Sequence, residues 1–511
     1  MSNLSRVFKN GLMLAAVAIL MRTVGVGFNA YLKGALGEGG MGLVSLTLSV
    51  YGFAVTFATS GLSLSVTRLV AEALGLGRGR SISATLKAAL GYALFFGLLA
   101  GGILFFASDG IARVLLGDVR TRASLRLLAF SLPPIALSGV FQGYFVAVGR
   151  VSHNAATQLV EQGLRISLTV AALGAFLPRG LEYACLAVVG GSCLAEMGSF
   201  LLLLLQFLHD RRRHPTPKGE GRSALAPLCR IALPTAAAAW CRSGLLTAEH
   251  LLIPAALAMG AFSREEALST YAALHGMALP VVLWPTAVLS SFASLLVPLV
   301  ASRHAAEKKE AVLSATVKAL TLAALFSFAS ATVLFVTADG LGEGIYGSPA
   351  VGHAIRMLAP LVPVMYMDSV TDALLKGMGR QVYCMGVNIA DAASAILLVL
   401  LLLPRFGGEG YLWVIWATEI LNFALSFTKL CRLVRPGKRV ALPFLLLGLS
   451  AAAAVALTSF ALPPCQAAGA WAMRGAFALL AFSLPALFAA RLTAPKRDQY
   501  PSPARCLVER A

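Results

Sequence analysis

Along most of the chain, apolar runs of about 20 residues alternate with short breaks of charge, glycine or proline, the spacing expected of successive membrane-crossing helices. Read this way, the sequence predicts about fourteen spans, near 11–33, 41–67, 84–107, 124–148, 154–178, 182–208, 224–256, 268–300, 312–336, 353–378, 382–403, 410–431, 441–462 and 466–491. Several exceed about 25 residues, which predicts tilted helices or helices projecting from the bilayer. A membrane barrel would show short segments of alternating polarity instead. The expected fold class is therefore an all-α integral membrane protein.

The breaks between runs fall into two alternating sets. One carries Arg6/Lys9, Arg78/Arg80, Arg150, Arg211-Arg212-Arg213, Arg303/Lys308/Lys309, Arg380, Arg432/Arg435/Lys438/Arg439 and Lys496/Arg497. The other carries Lys33/Glu38, Asp109/Asp118 with Arg113 and Arg120, Arg179/Glu182, Arg264/Glu265/Glu266, Asp339/Glu343 and Arg405/Glu409. The first set is the richer in Lys and Arg and is expected on the cytoplasmic side. Both termini then lie inside, which requires an even number of spans. The longest polar break, 209–222, reads as a cytoplasmic linker between two halves.

The halves repeat one another. The stretch 69–90 aligns with 299–320, and "ILFFASDGI" at 103–111 aligns with "VLFVTADGL" at 333–341 at an offset of 230. At that offset Gly117 meets Gly347, Pro133 meets Pro363, and Gly149-Arg150 meets Gly379-Arg380. Six helices per half is an even number, so the repeat is parallel and its axis runs along the membrane normal, as in many alternating-access transporters. The expected organisation is a six-helix lobe at 1–208, the linker 209–222, a second six-helix lobe at 223–431, two extra helices at 432–491 and a cytoplasmic tail at 492–511.

Composition sharpens the class. Hydrophobic residues make up 58% of the 511 and charged residues 13%, with mean hydropathy +0.79; soluble chains carry about 25% charge. The formal net charge of +19 is what positive cytoplasmic loops produce, so no nucleic-acid partner is expected. The eight cysteines are scattered and form no CxxC pair, which indicates neither a disulfide framework nor a zinc site. Neither HExxH nor a P-loop motif is present. Arg6 and Lys9 before the first apolar run resemble a signal peptide. Arg22 interrupts that run and no small-residue cleavage site follows, so a retained first helix is expected.

Chemistry is carried by charges inside the apolar runs. Arg22 and Arg242 each sit near the middle of the first helix of their half, where a guanidinium costs about 2.5–3.5 kcal/mol on insertion scales. Three explanations stand open: snorkelling, pairing with a buried carboxylate such as Glu249 seven residues after Arg242, or lining a wet cavity that holds an anion. Bidentate guanidinium contacts suit phosphate oxygens. Glu161 and Arg165 are four residues apart and read as a local pair; Glu161 corresponds to Asp391 in the repeat, and Glu196 to Glu419. These carboxylates, with Glu249, are candidates for structural or gating roles. Asp368, Asp372 and Lys376 form a polar stripe that pairs internally or faces a coupling cation. His250 reads as a lone membrane histidine, and Trp240 and Met365 as packing.

Two stretches, 21–72 and 141–166, resemble the stage V sporulation protein B and polysaccharide-exporter branch of the multidrug/oligosaccharidyl-lipid/polysaccharide flippase superfamily. The resemblance implies two six-helix lobes around a central cavity, with two further C-terminal helices extending a groove for a lipid tail. It implies flipping of an undecaprenyl-linked sugar pyrophosphate, such as lipid II or a polysaccharide repeat unit, by a bacterial cytoplasmic-membrane protein. Arg22 and Arg242 match the cavity arginines of the first helices of such lobes. No resident cofactor is implied. The energy source is a coupling cation or the membrane potential, and the partners are the bilayer, the lipid-linked saccharide and envelope-synthesis proteins acting with a monomer. Alternatives are a multidrug/cation antiporter of the same superfamily, a membrane enzyme acting on lipid-linked saccharides, and a non-transporting scaffold.

Overall fold

The computed structural model describes residues 2–75, 79–213, 224–260, 263–435, 438–462 and 469–493. Its regular structure among these residues is helical throughout. The first half comprises α1 (Ser2–Thr59), α2 (Leu62–Gly75), α3 (Gly79–Phe106), α4 (Ser108–Gly110), α5 (Thr121–Ala129), α6 (Leu132–Ala147), α7 (Val151–Phe176) and α8 (Leu181–Arg213). The second comprises α9 (Leu225–Ala258), α10 (Arg264–Tyr271), a π-helical turn over Ala272–Ala278, α11 (Leu279–Val282), α12 (Thr286–Ala305), α13 (Lys309–Tyr346), α14 (Pro349–Leu358), α15 (Val362–Gly377) and α16 (Gln381–Val434). α17 (Lys438–Ala461) and α18 (Ala470–Thr493) follow.

Among the described residues, eight helices qualify as membrane spans by length and apolarity, or ten when each bent pair counts as one. The difference from the expected fourteen has four sources. Long helices α1 and α16 are each divided by a glycine outside helical geometry, Gly37 (φ 71°) and Gly407 (φ 59°), so each holds two arms. α9 carries Arg230, Arg242 and Glu249 within its run. The apolar stretch of α18 is described over Ala470–Ser483. The runs expected at 124–148 and 268–300 are each bent rather than straight, by 42° between α5 and α6 and by 59° where α11 meets α12. Prolines sit at both breaks, Pro133 and Pro134 opening α6 and Pro285 preceding α12; a proline cannot donate into the helical ladder.

The internal repeat is built into the backbone. α3 and α13, α6 and α15, and α7 and α16 each begin 230 residues apart. Left-handed glycines recur at the same offset, Gly117 and Gly347 at φ 61° and 59°, Gly149 and Gly379 at φ 74° and 75°. Packing repeats too. α6 lies against α2, α3 and α7 as α15 lies against α12, α13 and α16. α17 and α18 pack on each other and on α13, outside the paired halves; Trp471 of α18 covers Gly340 of α13. Residues 209–213, expected in the linker, instead complete α8. Asp210 is 4% exposed, pairs with Arg150 and accepts from the Tyr144 hydroxyl at 2.8 Å, which docks this last turn. The rest of the linker, residues 214–222, and the tail from 494 onward lie outside the described residues.

The halves meet along α1, which packs on α9, α10, the π-helical turn and α12. Gly42 approaches the Leu268 carbonyl, and Gly61 the Ala232 carbonyl, so closely that a Cβ at either would overlap it. At the Gly42 end the two halves are also joined by polar contacts. Arg264 donates to the Leu116 carbonyl, Ser269 Oγ donates to Glu38 Oε2 at 2.7 Å, and Lys33 Nζ stands 3.5 Å from the Gly347 carbonyl. This is the end with the less basic loops. Losing one hydrogen bond from a charged donor removes about 1.5–3 kcal/mol. Arg264→Ala is therefore expected to raise, by about tenfold or more, the rate at which an impermeant maleimide labels a Ser45→Cys cavity probe from this end. The measurement uses a background with the native cysteines replaced; unchanged labelling would show that the closure does not depend on this contact.

Candidate functional site

Between the halves lies a cavity of about 850 Å3. Arg22 enters it from the first arm of α1, Arg165 from α7, Glu196 from α8, His250 from α9 and His275 from the π-helical turn. The Arg22 guanidinium donates to the Leu283 carbonyl and the Thr286 hydroxyl. Both acceptors lie at the break between α11 and α12, where the Leu283 carbonyl also accepts from the Thr286 N–H and hydroxyl. No ion pair involves Arg22 among the described residues, so its positive charge is met by dipoles and not neutralised. Arg165 Nη2 donates to Glu161 Oε1 at 2.6 Å and Nη1 to Gln162 Oε1 at 3.2 Å. Arg165 thus both pairs locally and borders the cavity.

Glu196 has a different setting. The Tyr51 hydroxyl donates to its Oε2 at 2.5 Å and stands 2.5 Å from the Ser131 hydroxyl. This ties α1 and α8 to Ser131, the residue before α6, at the cavity wall. On the opposite wall, Ser49 Oγ lies 2.9 Å from His250 Nδ1 and 3.4 Å from the Tyr271 hydroxyl. His250 is not the lone histidine expected from sequence, since its ring centroid stands 4.5 Å from that of His275. His275 Nε2 bonds the Tyr411 hydroxyl, which donates to Glu249 Oε1 at 3.5 Å. A polar chain therefore runs from the cavity through the interface into the second half.

That chain ends among carboxylates of the second half. On α16, Glu419 lies within electrostatic reach of Glu249 on α9, Asp368 on α15 and Asp391 on the other arm of α16, and Asp391 within reach of Glu249 and Asp368. Arg242 acts on Asp391 and Asp368 electrostatically but forms no ion pair among the described residues. Arg242 is absent from the lining of the cavity that Arg22 enters, so the structure does not bring the two arginines to facing sides of one chamber. Glu249 meets Tyr411 rather than Arg242, because their shared helix face turns toward α16. Lys376 Nζ pairs with Asp372 Oδ2 at 3.1 Å, while Asp368 Oδ1 and Asp391 Oδ1 are buried without a hydrogen bond. Among the described residues, no three His, Cys, Asp or Glu side chains are grouped to hold a metal ion. Trp240 stacks on Phe57 at 4.8 Å, a packing role.

A second chamber of about 720 Å3 adjoins the first. It is apolar and framed by Trp284, Phe326, Val333 and, from α18, Trp471 and Leu479. Val26 borders both chambers, and Thr23, next to Arg22, accepts a 2.8 Å hydrogen bond from Trp284 Nε1. One turn of α1 thus offers a cation to one space and an apolar surface to another.

Residues 7–225 match the family described as polysaccharide biosynthesis protein. The chain is 26% identical over 409 residues, 79% of each protein, to stage V sporulation protein B of Bacillus subtilis (strain 168). It is 19% identical over 437 residues to sporulation protein YkvU of the same organism, covering 84% of this chain and 96% of that one. Among solved structures, the lipid II flippase MurJ in an inward closed conformation matches with a TM-score of 0.71 at 12% identity, over 94% of this chain and 99% of that one. An inward-facing multidrug resistance MATE transporter of the MOP superfamily matches with a TM-score of 0.67 at 14% identity, over 82% and 99%. The chain is a multi-pass membrane protein with the fold of the MOP superfamily. The resemblance read from residues 21–72 and 141–166, to stage V sporulation protein B and its branch, extends over most of its length.

The Tyr51 hydroxyl offers a direct test of the cavity wall. Tyr51→Phe leaves Glu196 without its donor and is expected to cost about 1–3 kcal/mol. Chemical unfolding in detergent measures this, and an unchanged midpoint would show that the contact contributes nothing net.

Proposed function

We propose that the chain is an alternating-access flippase that carries an undecaprenyl-pyrophosphate-linked saccharide from the inner to the outer leaflet of the bacterial cytoplasmic membrane. The observation that carries the proposal is the exposure of unpaired Arg22 to a large cavity between the halves, one turn from an apolar chamber. The pyrophosphate meets Arg22 and Arg165, and the prenyl tail lies along the chamber between α13 and α18. Similarity to a polysaccharide biosynthesis family and to a lipid II flippase supports this reading. In it the chain is a transporter, not an enzyme, and the segments 1–208 and 223–431 move as lobes with both termini cytoplasmic.

Arg242 remains a proposed second headgroup contact, to be engaged in a conformation other than this one. Glu161 and Glu196 hold lobe structure. We place coupling in the second half, where Asp368, Asp372 and Asp391 with Glu249 and Glu419 would take up a cation or respond to the membrane potential, worth about 2.3 kcal/mol per charge per 100 mV. The same carboxylates favour the second reading, a cation-coupled multidrug antiporter, for which they would be the cation's binding groups. The protein is proposed to act as a monomer, alongside envelope-synthesis proteins.

Proteoliposomes containing defined lipid-linked saccharides test both readings through headgroup accessibility and binding. A buried charge-assisted contact contributes about 1.5–3 kcal/mol, so Arg22→Ala is expected to weaken saccharide-lipid binding about ten- to a hundredfold. Arg22→Lys restores only part of it, since an ammonium lacks the planar two-point contact. Arg242→Ala, and the double variant, complete the series, each checked for folding. Wild-type binding and flipping in the double variant would refute the headgroup assignment; transport of organic cations without saccharide lipids would select the antiporter.

A further inference from the structure

At the basic end of the second half is a cavity of about 720 Å3 that the transport reading leaves unused. It forms where the turn between α12 and α13 meets the ends of α15 and α16. Lys308, Lys309, Arg380, Arg432 and Arg435 line it, as do Glu307 and Glu310, with buried Val312 and Met378 beneath. With His304 neutral, five cations against two carboxylates leave a surplus of three positive charges. None of the seven takes part in an ion pair among the described residues. The C-termini of α15 and α16 oppose this surplus with about half a charge each, and the N-terminus of α13 returns about half; the cleft stays cationic.

Three observations separate the cleft from an ordinary basic loop. The first is the repeat. Arg150, the counterpart of Arg380, is neutralised by buried Asp210, whereas the residue that corresponds to Asp210, at the offset of 223 that equates Glu196 with Glu419, is Leu433. The second is strain. Glu307 (φ 54°) and Arg435 (φ 53°) are the two non-glycine residues in the left-handed region among those described, and both line this cleft. Such conformations cost about 1–3 kcal/mol each and cluster at ligand sites. The third is a neighbouring apolar cavity, also about 720 Å3, bounded by Met367, Phe423, Phe427, Phe444 and Leu445 of α15, α16 and α17. Arg435 borders both spaces.

We propose that these adjoining cavities bind one anionic phospholipid, its phosphodiester in the basic cleft and an acyl chain in the apolar one. Guanidinium groups match phosphate oxygens with two parallel hydrogen bonds. A soluble phosphate would satisfy the cleft alone and leave the apolar space without a purpose. A zwitterionic lipid would bring its own cation into a positive site. Loop charge assigns this end to the cytoplasmic leaflet, where anionic lipid concentrates. The site shares no lining residue with the central cavity, and the proposal does not rest on the transport reading. A bound lipid would clamp α17 to α15 and α16, tying the C-terminal helices to the second half.

The test is thermal unfolding of the full chain in dodecyl maltoside, titrated separately with dioleoylphosphatidylglycerol, dioleoylphosphatidylcholine and inorganic phosphate. Phosphatidylglycerol is expected to raise the midpoint, and the other two to leave it unchanged. The triple variant Arg380→Gln, Arg432→Gln, Arg435→Gln should raise the half-saturating phosphatidylglycerol concentration at least tenfold. Ala441→Trp, which fills the apolar cavity, should do the same without altering any charge. Should the triple variant not fold, Arg380→Gln alone, on an exposed helix end, should raise it several-fold. Phosphatidylglycerol responses equal to wild type in both the charge and the Ala441→Trp variants would overturn the proposal. A phosphate response equal to that of phosphatidylglycerol would also overturn it, assigning the cleft to a soluble anion.

Discussion

A guanidinium placed at the middle of a membrane must be given water, dipoles or a counter-charge, and the interface between the two halves is organised by that need. Arg22 is carried on the first arm of α1, which a left-handed Gly37 separates from the second. The second arm packs against the other half, so Arg22 is held over the seam rather than against lipid. Its acceptors come from the bend between α11 and α12. There the Leu283 carbonyl accepts from the N–H and hydroxyl of Thr286, three residues on, rather than from the residue four on as in a regular helix. The bend therefore places the Leu283 carbonyl and the Thr286 hydroxyl where they moderate the Arg22 charge without neutralising it.

The duplicated backbone makes the divergence of the side chains informative. Helix starts and left-handed glycines recur at one offset, so the two halves present equivalent positions to equivalent places in the bilayer. At those positions the chemistry differs. Glu161 has Arg165 beside it, while its counterpart Asp391 has a buried oxygen with no hydrogen bond. Glu196 accepts from Tyr51, while Glu419 lies among other carboxylates. Carboxylates crowded in a low-dielectric interior repel one another and stabilise any cation or proton that joins them. The first half is thus left electropositive at the cavity and the second electronegative behind it. That polarity suits a device that binds an anionic headgroup on one side of a seam and an activating cation on the other.

Much of this was legible in the sequence where the signal is local. Apolar run length predicted the helices, and a constant offset predicted the repeat, because both are properties of contiguous residues. Arg22 stood out for the same reason, as a charge in an apolar run. The site's other members were hidden by distance. Ser49 and His250 are 201 residues apart, His275 and Tyr411 136 apart, and nothing in either neighbourhood marks them as partners. Arg242 does not line the cavity that Arg22 enters, because a parallel repeat equates positions in the chain but not rotations about the helix axis. On α9, Ser243 and Thr247 reach the second arm of α1, which turns Arg242 and Glu249 toward the second half. The bend near Pro285 was lost inside one long apolar run, since hydropathy does not register a break that both flanks span.

The chain from Ser49 through His250, His275 and Tyr411 to Glu249 gives the two sides of the seam a physical connection. It crosses between the halves once, at the Ser49–His250 hydrogen bond. Ser49 belongs to the first, His250 and His275 to the start of the second, and Tyr411 and Glu249 to the body of the second. Hydrogen bonds of this length do not survive a separation of even an ångström or two. Rotation of one half against the other must therefore break the link at Ser49, where it crosses the interface, before it disturbs the links within the second half. His275 lies in the π-helical turn, a segment with its backbone ladder already shifted and so more easily rearranged than a regular helix. In the proposed cycle, the charge state of the carboxylates and the position of the first half are thus coupled through a short chain of hydroxyl and imidazole groups. Either side can bias the other, because a link whose geometry depends on both has a free energy that depends on both.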